Sequence, residues 1–336
     1  VMVLTIMRLT RLDVLFSDAD NVFKRDPFVP GASLGDLIRS KRYDYLFQEE
    51  LQQRPNKDHV APGDGGNTGF FYAAGSRKPK SIQAFFAVVV AEVDRIRAES
   101  GRDLGADQSI FWDTLNTVRG SRGTKPGPAG FKCMSLCGKP PSCQAHADET
   151  LEYCNLDPLH HPTGWEDARQ EEFLTYHANY AANEMKIDKL KRFDLWGAWD
   201  QTAGKCSLPA LDAGQQVGDA GTQGAEADPK EQLVAQVVNK RAGIYVDKAR
   251  HPEFAGVVLV TGANYAYWPF YQNWQCYAER LGLDWAVIAN DDEAYEKLGP
   301  ERAMPVLGEK VQGMVGWGSA KLDSVGRNKM VMVLTI

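Results

Sequence analysis

The same six residues, VMVLTI, stand at both ends of this 336-residue chain, at positions 1–6 and again at 331–336. A repeat of that length at the two termini is very unlikely to arise by chance. It means that the two ends encode one piece of structure. Counting the hexapeptide once and joining the ends gives a continuous stretch from Gly326 through VMVLTI to Arg11. Its apolar spacing is that of a buried amphipathic helix, and it runs straight into an apolar strand at 13–17. The expectation is therefore a circularly permuted chain whose cut lies inside a core helix, the rival reading being a tandem array cut out of phase. Permutation is ordinarily tolerated at exposed loops, which makes such a cut unusual. The aromatic-free stretch 211–230, rich in Ala, Gly, Asp and Gln, has linker composition and would join a segment spanning 1–210 to one spanning 231–336.

In the joined order, strands and helices alternate. Asp228-Pro229 opens a helix with Leu233, Val234, Val237 and Val238 on one face, and Gly243 follows its end. The run 256–261, GVVLVT, is continuously apolar, as in a buried parallel strand. A helix at 268–281, a strand at 285–289, the joined helix and the strand ending at Ser17 come next. Later strands are expected at 43–48 and 69–73, and helices at 81–98 and 108–118. This order predicts a doubly wound α/β sheet, in which ligands sit at the carboxyl ends of the strands.

The chemistry concentrates after the strand at 13–17, in Ser17-Asp18-Ala19-Asp20-Asn21. Residues two apart point the same way in extended chain, so Asp18 and Asp20 are expected to converge. Two carboxylates held together repel unless a cation or proton intervenes. A lone DxD is more often a solvated turn. One that follows an apolar strand and precedes Arg25-Asp26-Pro27 is better read as a metal site.

The stretch around Asp18 and Asp20 resembles the DxD segment of retaining nucleotide-sugar transferases with the GT-A fold, and most of all plant cell-wall arabinosyl- and xylosyltransferases. Further similar segments are Asn67-Thr-Gly-Phe-Phe-Tyr72, Asp107-Gln108, His177-Ala-Asn-Tyr180 with Lys186 beyond it, and Val258-Leu-Val-Thr261-Gly-Ala-Asn264-Tyr265. The likeness covers most of the chain outside 211–230 and departs from the family in chain order. It implies a GT-A-like, Rossmann-like mixed sheet flanked by helices. Asp18, Asp20 and His177 would bind Mn²⁺ or Mg²⁺, one imidazole among oxygen ligands favouring Mn²⁺. Thr261, Asn264, Tyr265 and Ser17 would meet the nucleotide of a UDP-sugar, with Lys186 and Lys329 at its phosphates. Asn67 would bond donor-sugar hydroxyls, and Asp107 with Gln108 would face the reacting centre. Asp107 also suits a helix N-cap, Asn67 a turn after two glycines, and Lys186 a solvated helix face. The implied acceptor is a glycan or a hydroxyproline-rich glycoprotein, and the implied compartment is the Golgi or secretory lumen.

Bulk properties limit the alternatives. A net charge of −6 offers no basic excess for nucleic acid. No apolar run approaches the roughly 20 residues needed to span a bilayer, so any native anchor is expected outside this chain. Four of the six cysteines, Cys133, Cys137, Cys143 and Cys154, fall in a Gly/Pro-rich stretch where disulfides would staple a segment of little regular structure. Zinc is the rival reading there, but no paired CxxC occurs. Two other classes remain. One is an aspartyl-nucleophile phosphatase with Asp291-Asp292 as its late acidic pair; the other is a nucleotide-sugar or glycan binder without turnover. Trp112, Trp165 and Trp196 could stack on acceptor sugars, although aromatic residues near helices are more often core.

Overall fold

The structure, a computed structural model, describes residues 2–49, 66–77, 79–100, 107–118, 133–136, 150–164, 172–179, 181, 183–209, 228–308 and 310–313. The second hexapeptide, Lys329, Trp165 and nearly all of the expected linker lie outside the described residues. In chain order the first elements are α1 (Met2–Thr10), β1 (Asp13–Asp18), β2 (Asn21–Phe23), α2 (Ser33–Arg39), β3 (Tyr45–Glu49) and β4 (Gly66–Ala73). Next come α3 (Pro79–Ser100), α4 (Asp107–Val118), β5 (Cys133–Leu136), β6 (Thr150–Asn155), β7 (Thr175–His177) and α5 (Asn183–Arg192). The short strands β8 (Trp199–Asp200) and β9 (Lys205–Cys206) precede α6 (Pro229–Lys240). The chain continues through β10 (Val257–Ala263), α7 (Trp268–Arg280), β11 (Ala286–Ala289), α8 (Asp292–Leu298) and β12 (Ala303–Pro305).

Eight strands form one mixed sheet in the order β12-β11-β10-β1-β4-β3-β6-β5. Seven share one direction and β4 alone runs against them. The segments on either side of the expected linker therefore do not form separate sheets. β1 pairs in parallel with β10, Val14 opposite Val258 and Ser17 opposite Thr261. Side-chain alternation in these strands feeds two cores. Val14, Phe16, Val258 and Val260 meet α1, α3, α4 and α6 on one face. Leu15, Val257 and Leu259 meet α2 and α7 on the other. The result is a sheet flanked by helices, as the sequence predicts, with β1 at its centre.

Residues 2–6 of the first hexapeptide copy are part of α1. Met2, Val3, Ile6 and Met7 are fully buried and pack with α3 and α6 against the sheet. On the exposed side Arg8 reaches Glu231 of α6 at 2.5 Å.

Two features differ from expectation. The cysteine-rich stretch is not without regular structure, because β5 and β6 extend the sheet beyond β3. Leu151 and Tyr153 of β6 alternate inward with half-exposed Glu152 between them, and they join the first core. Cys154 is disulfide-bonded. A second disulfide, Cys206–Cys276, clips β9 to α7 and pairs two cysteines 70 residues apart. No helix among the described residues is long and apolar enough to cross a membrane.

Removing the buried side chain of Ile6 should leave a cavity that α1 cannot close without shifting against α3 and α6. Ile6→Ala is expected to lower stability by about 2–5 kcal/mol in urea unfolding. A loss below about 0.5 kcal/mol, the range of a surface substitution, would show that α1 is not a core helix.

Candidate metal centre

All parallel strands end at one edge of the sheet, where β4 begins. Asp18 is the last residue of β1, and Ala19 and Asp20 form a turn leading into β2. The two carboxylates converge through this turn, and not along an extended strand as the DxD spacing alone would have it. β2 then pairs antiparallel with β7, placing His177 opposite Asn21, and the Ala178 amide donates to Asp20 O at 2.9 Å. A residue more than 150 positions away is thereby held beside the carboxylates.

The imidazole Nε2 of His177 lies 3.3 Å from Asp20 Oδ1 and 3.9 Å from Asp18 Oδ2. One ligand atom from each of the three residues lies within 4.8 Å of the others. Neighbouring ligands on an ion with bonds near 2.1 Å are about 3 Å apart, so the donor set fits a small divalent cation with modest closure. Asp20 and His177 are buried and Asp18 is half-exposed, which leaves one side of the cluster open.

Gly69 explains how three side chains fit there. A β-carbon on it would fall on Asp18 Oδ2 and His177 Cε1, with Asn67 Oδ1 at 2.8 Å. Asn67 accepts from the Gly69 amide at 2.6 Å. On the other flank Gly262 stands opposite Asp18, and among the described residues a β-carbon there would meet only Asn290 Nδ2, at 3.6 Å. One glycine clears room for the ligands, and the other leaves space beside them.

Asp20 divides its oxygens. Oδ1 faces His177, while Oδ2 accepts from Lys186 Nζ of α5 at 2.6 Å. Burial alone would raise the Asp20 carboxyl, but Lys186 and His177 outweigh it and hold the group well below the ordinary carboxylate range. Burial would likewise lower the Lys186 ammonium, and Asp20 reverses that and raises it. Lys186 is thus not a solvated helix residue. It is the protein's own countercharge at the cluster.

The other expected residues divide into two groups. Asn67 is buried beside the cluster within β4, so it is a strand residue and not part of a turn. Gln108 accepts from the Thr68 amide at 3.3 Å, which leans the start of α4 on β4 next to Asn67, and Asp107 opens that helix. Thr261 is buried at the end of β10, and its hydroxyl has no hydrogen-bond partner among the described residues. Tyr265 is 38% exposed, with the Lys297 ammonium over its ring at 4.9 Å.

Ser17 and Asn264 make hydrogen bonds within the fold. The Ser17 hydroxyl is fully buried and accepts from Trp274 Nε1 at 3.2 Å. The Asn264 carbonyl caps the turn at Tyr267, while its amide donates to Val311 O and Gly313 O. Asp291 caps α8 and accepts from the Tyr265 amide, and the exposed Asp292 pairs with Lys310. Trp112 packs on Phe47 in the core, and Trp196 packs on Phe270.

Sequence reasoning did not single out Gln48 or Gly69, and it weighed His161 only as a zinc ligand beside the cysteine-rich stretch. Gln48 follows Tyr45-Leu46-Phe47 in β3, and its Oε1 lies 3.0 Å from His177 Nδ1. His161 is fully buried, and its Nδ1 meets Thr175 Oγ1 at 3.0 Å. Burial, with His160 adjacent, pushes the His161 imidazole down to about 3. Comparison with protein-family models, curated proteins and solved structures finds no match.

Two outcomes follow. Gly69→Ala should weaken Mn²⁺ binding at least about tenfold in calorimetric titration, since Asp18 and His177 must separate; unchanged affinity would place the ion elsewhere. His161 is neutral in the fold and protonates near 6.5 when unfolded, so the unfolded chain binds the extra proton as pH falls. Its contribution is full above about pH 6.5 and declines towards pH 3. Between pH 7 and pH 5 the loss is about 2 kcal/mol. Urea unfolding should show that pH dependence shrink in His161→Phe.

Proposed function

We propose that the chain is a metal-dependent glycosyltransferase of the GT-A type in circularly permuted order. It would move a pentose such as arabinose or xylose from a UDP-sugar to a glycan or hydroxyproline-rich glycoprotein, with retention, in the Golgi or secretory lumen. The observation that carries this reading is the convergence of Asp18, Asp20 and His177 at the carboxyl edge of the sheet, beside the space that Gly262 leaves open. The donor, the acceptor and the compartment rest on the resemblance of the DxD, NTGFFY, DQ and HAN segments.

Each residue then has a role. Asp18, Asp20 and His177 would hold Mn²⁺ or Mg²⁺. When bound, the ion neutralises negative charge that gathers on a departing nucleoside diphosphate. Thr261 offers a buried hydroxyl at the nucleotide end, and Tyr265 offers a partly exposed ring. Lys186, already drawn to this edge by Asp20, supplies an ammonium to a phosphate lying across the ion site. Asn67 and Gln108 bound the other flank, where the donor sugar would lie, with Asp107 at the start of the same helix. The permuted order rests on the repeated hexapeptide, together with the parallel pairing of β1 to β10.

The test is release of UDP from UDP-arabinose and UDP-xylose with Mn²⁺, with and without an acceptor peptide. Asp18→Ala should cut turnover at least about a hundredfold while leaving the melting curve near that of the parent. Full turnover in Asp18→Ala, or in the presence of a chelator, would defeat the metal-dependent reading. Tight UDP–Mn²⁺ binding with no product from any donor would instead identify a nucleotide-sugar binder.

A further inference from the structure

We infer that Gln48 is the positioning residue that presents His177 Nε2 to the metal. The inference rests on the metal-binding element of the reading above. Gln48 sits at the irregularity in β3 where the register with β4 shifts between Phe47 and Gln48, and its side chain is fully buried. Its Nε2 donates to two backbone carbonyls, His161 O and Pro162 O, each at 2.9 Å. Both amide hydrogens are thus used. Turning the amide over would set its oxygen against two other oxygens, so the orientation of the group is fixed by its partners.

The consequence passes to the histidine. With the amide nitrogen held by the carbonyls, Oε1 faces His177 Nδ1 at 3.0 Å. An amide oxygen only accepts, so the ring must carry a proton on Nδ1 to bond it. A ring that coordinates through Nε2 needs its remaining proton on Nδ1, and Gln48 holds that tautomer. It also fixes the ring plane, aiming Nε2 at the gap between Asp18 and Asp20.

The carbonyls that anchor Gln48 are themselves anchored to the histidine strand. Pro162 O also accepts from the His177 amide at 3.3 Å, and Thr163 bridges to His177. His161 N bonds Asp157 O, and its ring meets Thr175 of β7. The segment 161–163 therefore clamps the Gln48 amide and the backbone of His177 together. Aim and tautomer are set by the same few bonds.

The experiment has two arms on the full chain. Free Mn²⁺ is followed by electron paramagnetic resonance during titration of the wild type and Gln48→Leu. In parallel, ¹⁵N-histidine protein loaded with diamagnetic Mg²⁺ reports the ring protons, with His177→Ala assigning the signal. The expected results are a Mn²⁺ dissociation constant about 10–100-fold higher in Gln48→Leu and a solvent-shielded Nδ1 proton on His177 in the wild type only. A residue that merely filled space would lower the melting point and leave that proton in place. The inference is overturned if folded Gln48→Leu binds Mn²⁺ like the wild type, or if loaded wild-type His177 carries its proton on Nε2. The second measurement needs no variant, so a misfolded Gln48→Leu does not remove the test. A wild type that takes up no Mn²⁺ overturns the metal reading itself, and the Gln48 role with it.

Discussion

A buried carboxylate needs a cation, and the architecture around Asp20 follows from that need. A lone ionised Asp in this position would face a desolvation cost of several kcal/mol. The chain meets it with the Lys186 ammonium at 2.6 Å, and His177 Nε2 stands 3.3 Å from the other oxygen. Supplying those two partners requires α5 and the β2–β7 pairing, and both sit beside the main sheet, outside it. The second carboxylate, on Asp18, stays half-exposed. The cluster therefore has a buried side and a half-exposed side. A divalent ion entering from the half-exposed side meets ligands that are already gathered.

Much of the sheet could be read from local pattern because its central strands are apolar on both faces and α6 and α8 carry side-chain caps. The runs ending at Ser17, Thr261 and Ala289 all form strands, and Asp228-Pro229 starts a helix with the Asp228 side chain accepting from Lys230 N. β5 and β6 were harder to see. Gly and Pro dominate the composition around them, and the alternating Leu151 and Tyr153 make a short signal. The Cys206–Cys276 link leaves no local trace at all, since its halves are 70 residues apart.

The site was legible where a residue type announces a charge and obscure where a role depends on distant backbone. Asp18 and Asp20 stand out in any reading, although a turn, not strand periodicity, brings them together. His177 was found only through the resemblance of its neighbourhood. Gln48 acts through carbonyls 113 and 114 residues further along the chain, and Gly69 acts by what it lacks. Neither effect has a sequence pattern. Ser17 and Asn264 are a different case. Polar residues at strand ends suggest ligand contacts, but Trp274 and the 311–313 segment already take their hydrogen bonds.

The disulfide has a practical consequence at the bench. Cys276 lies two positions from Trp274 on α7, and the Trp274 indole donates to Ser17, the residue before Asp18. Dithiothreitol in a purification buffer, or expression in a reducing bacterial cytosol, would free one end of that helix from its clip. Preparations differing only in thiol history would then differ in how firmly the end of β1 at Asp18 is held.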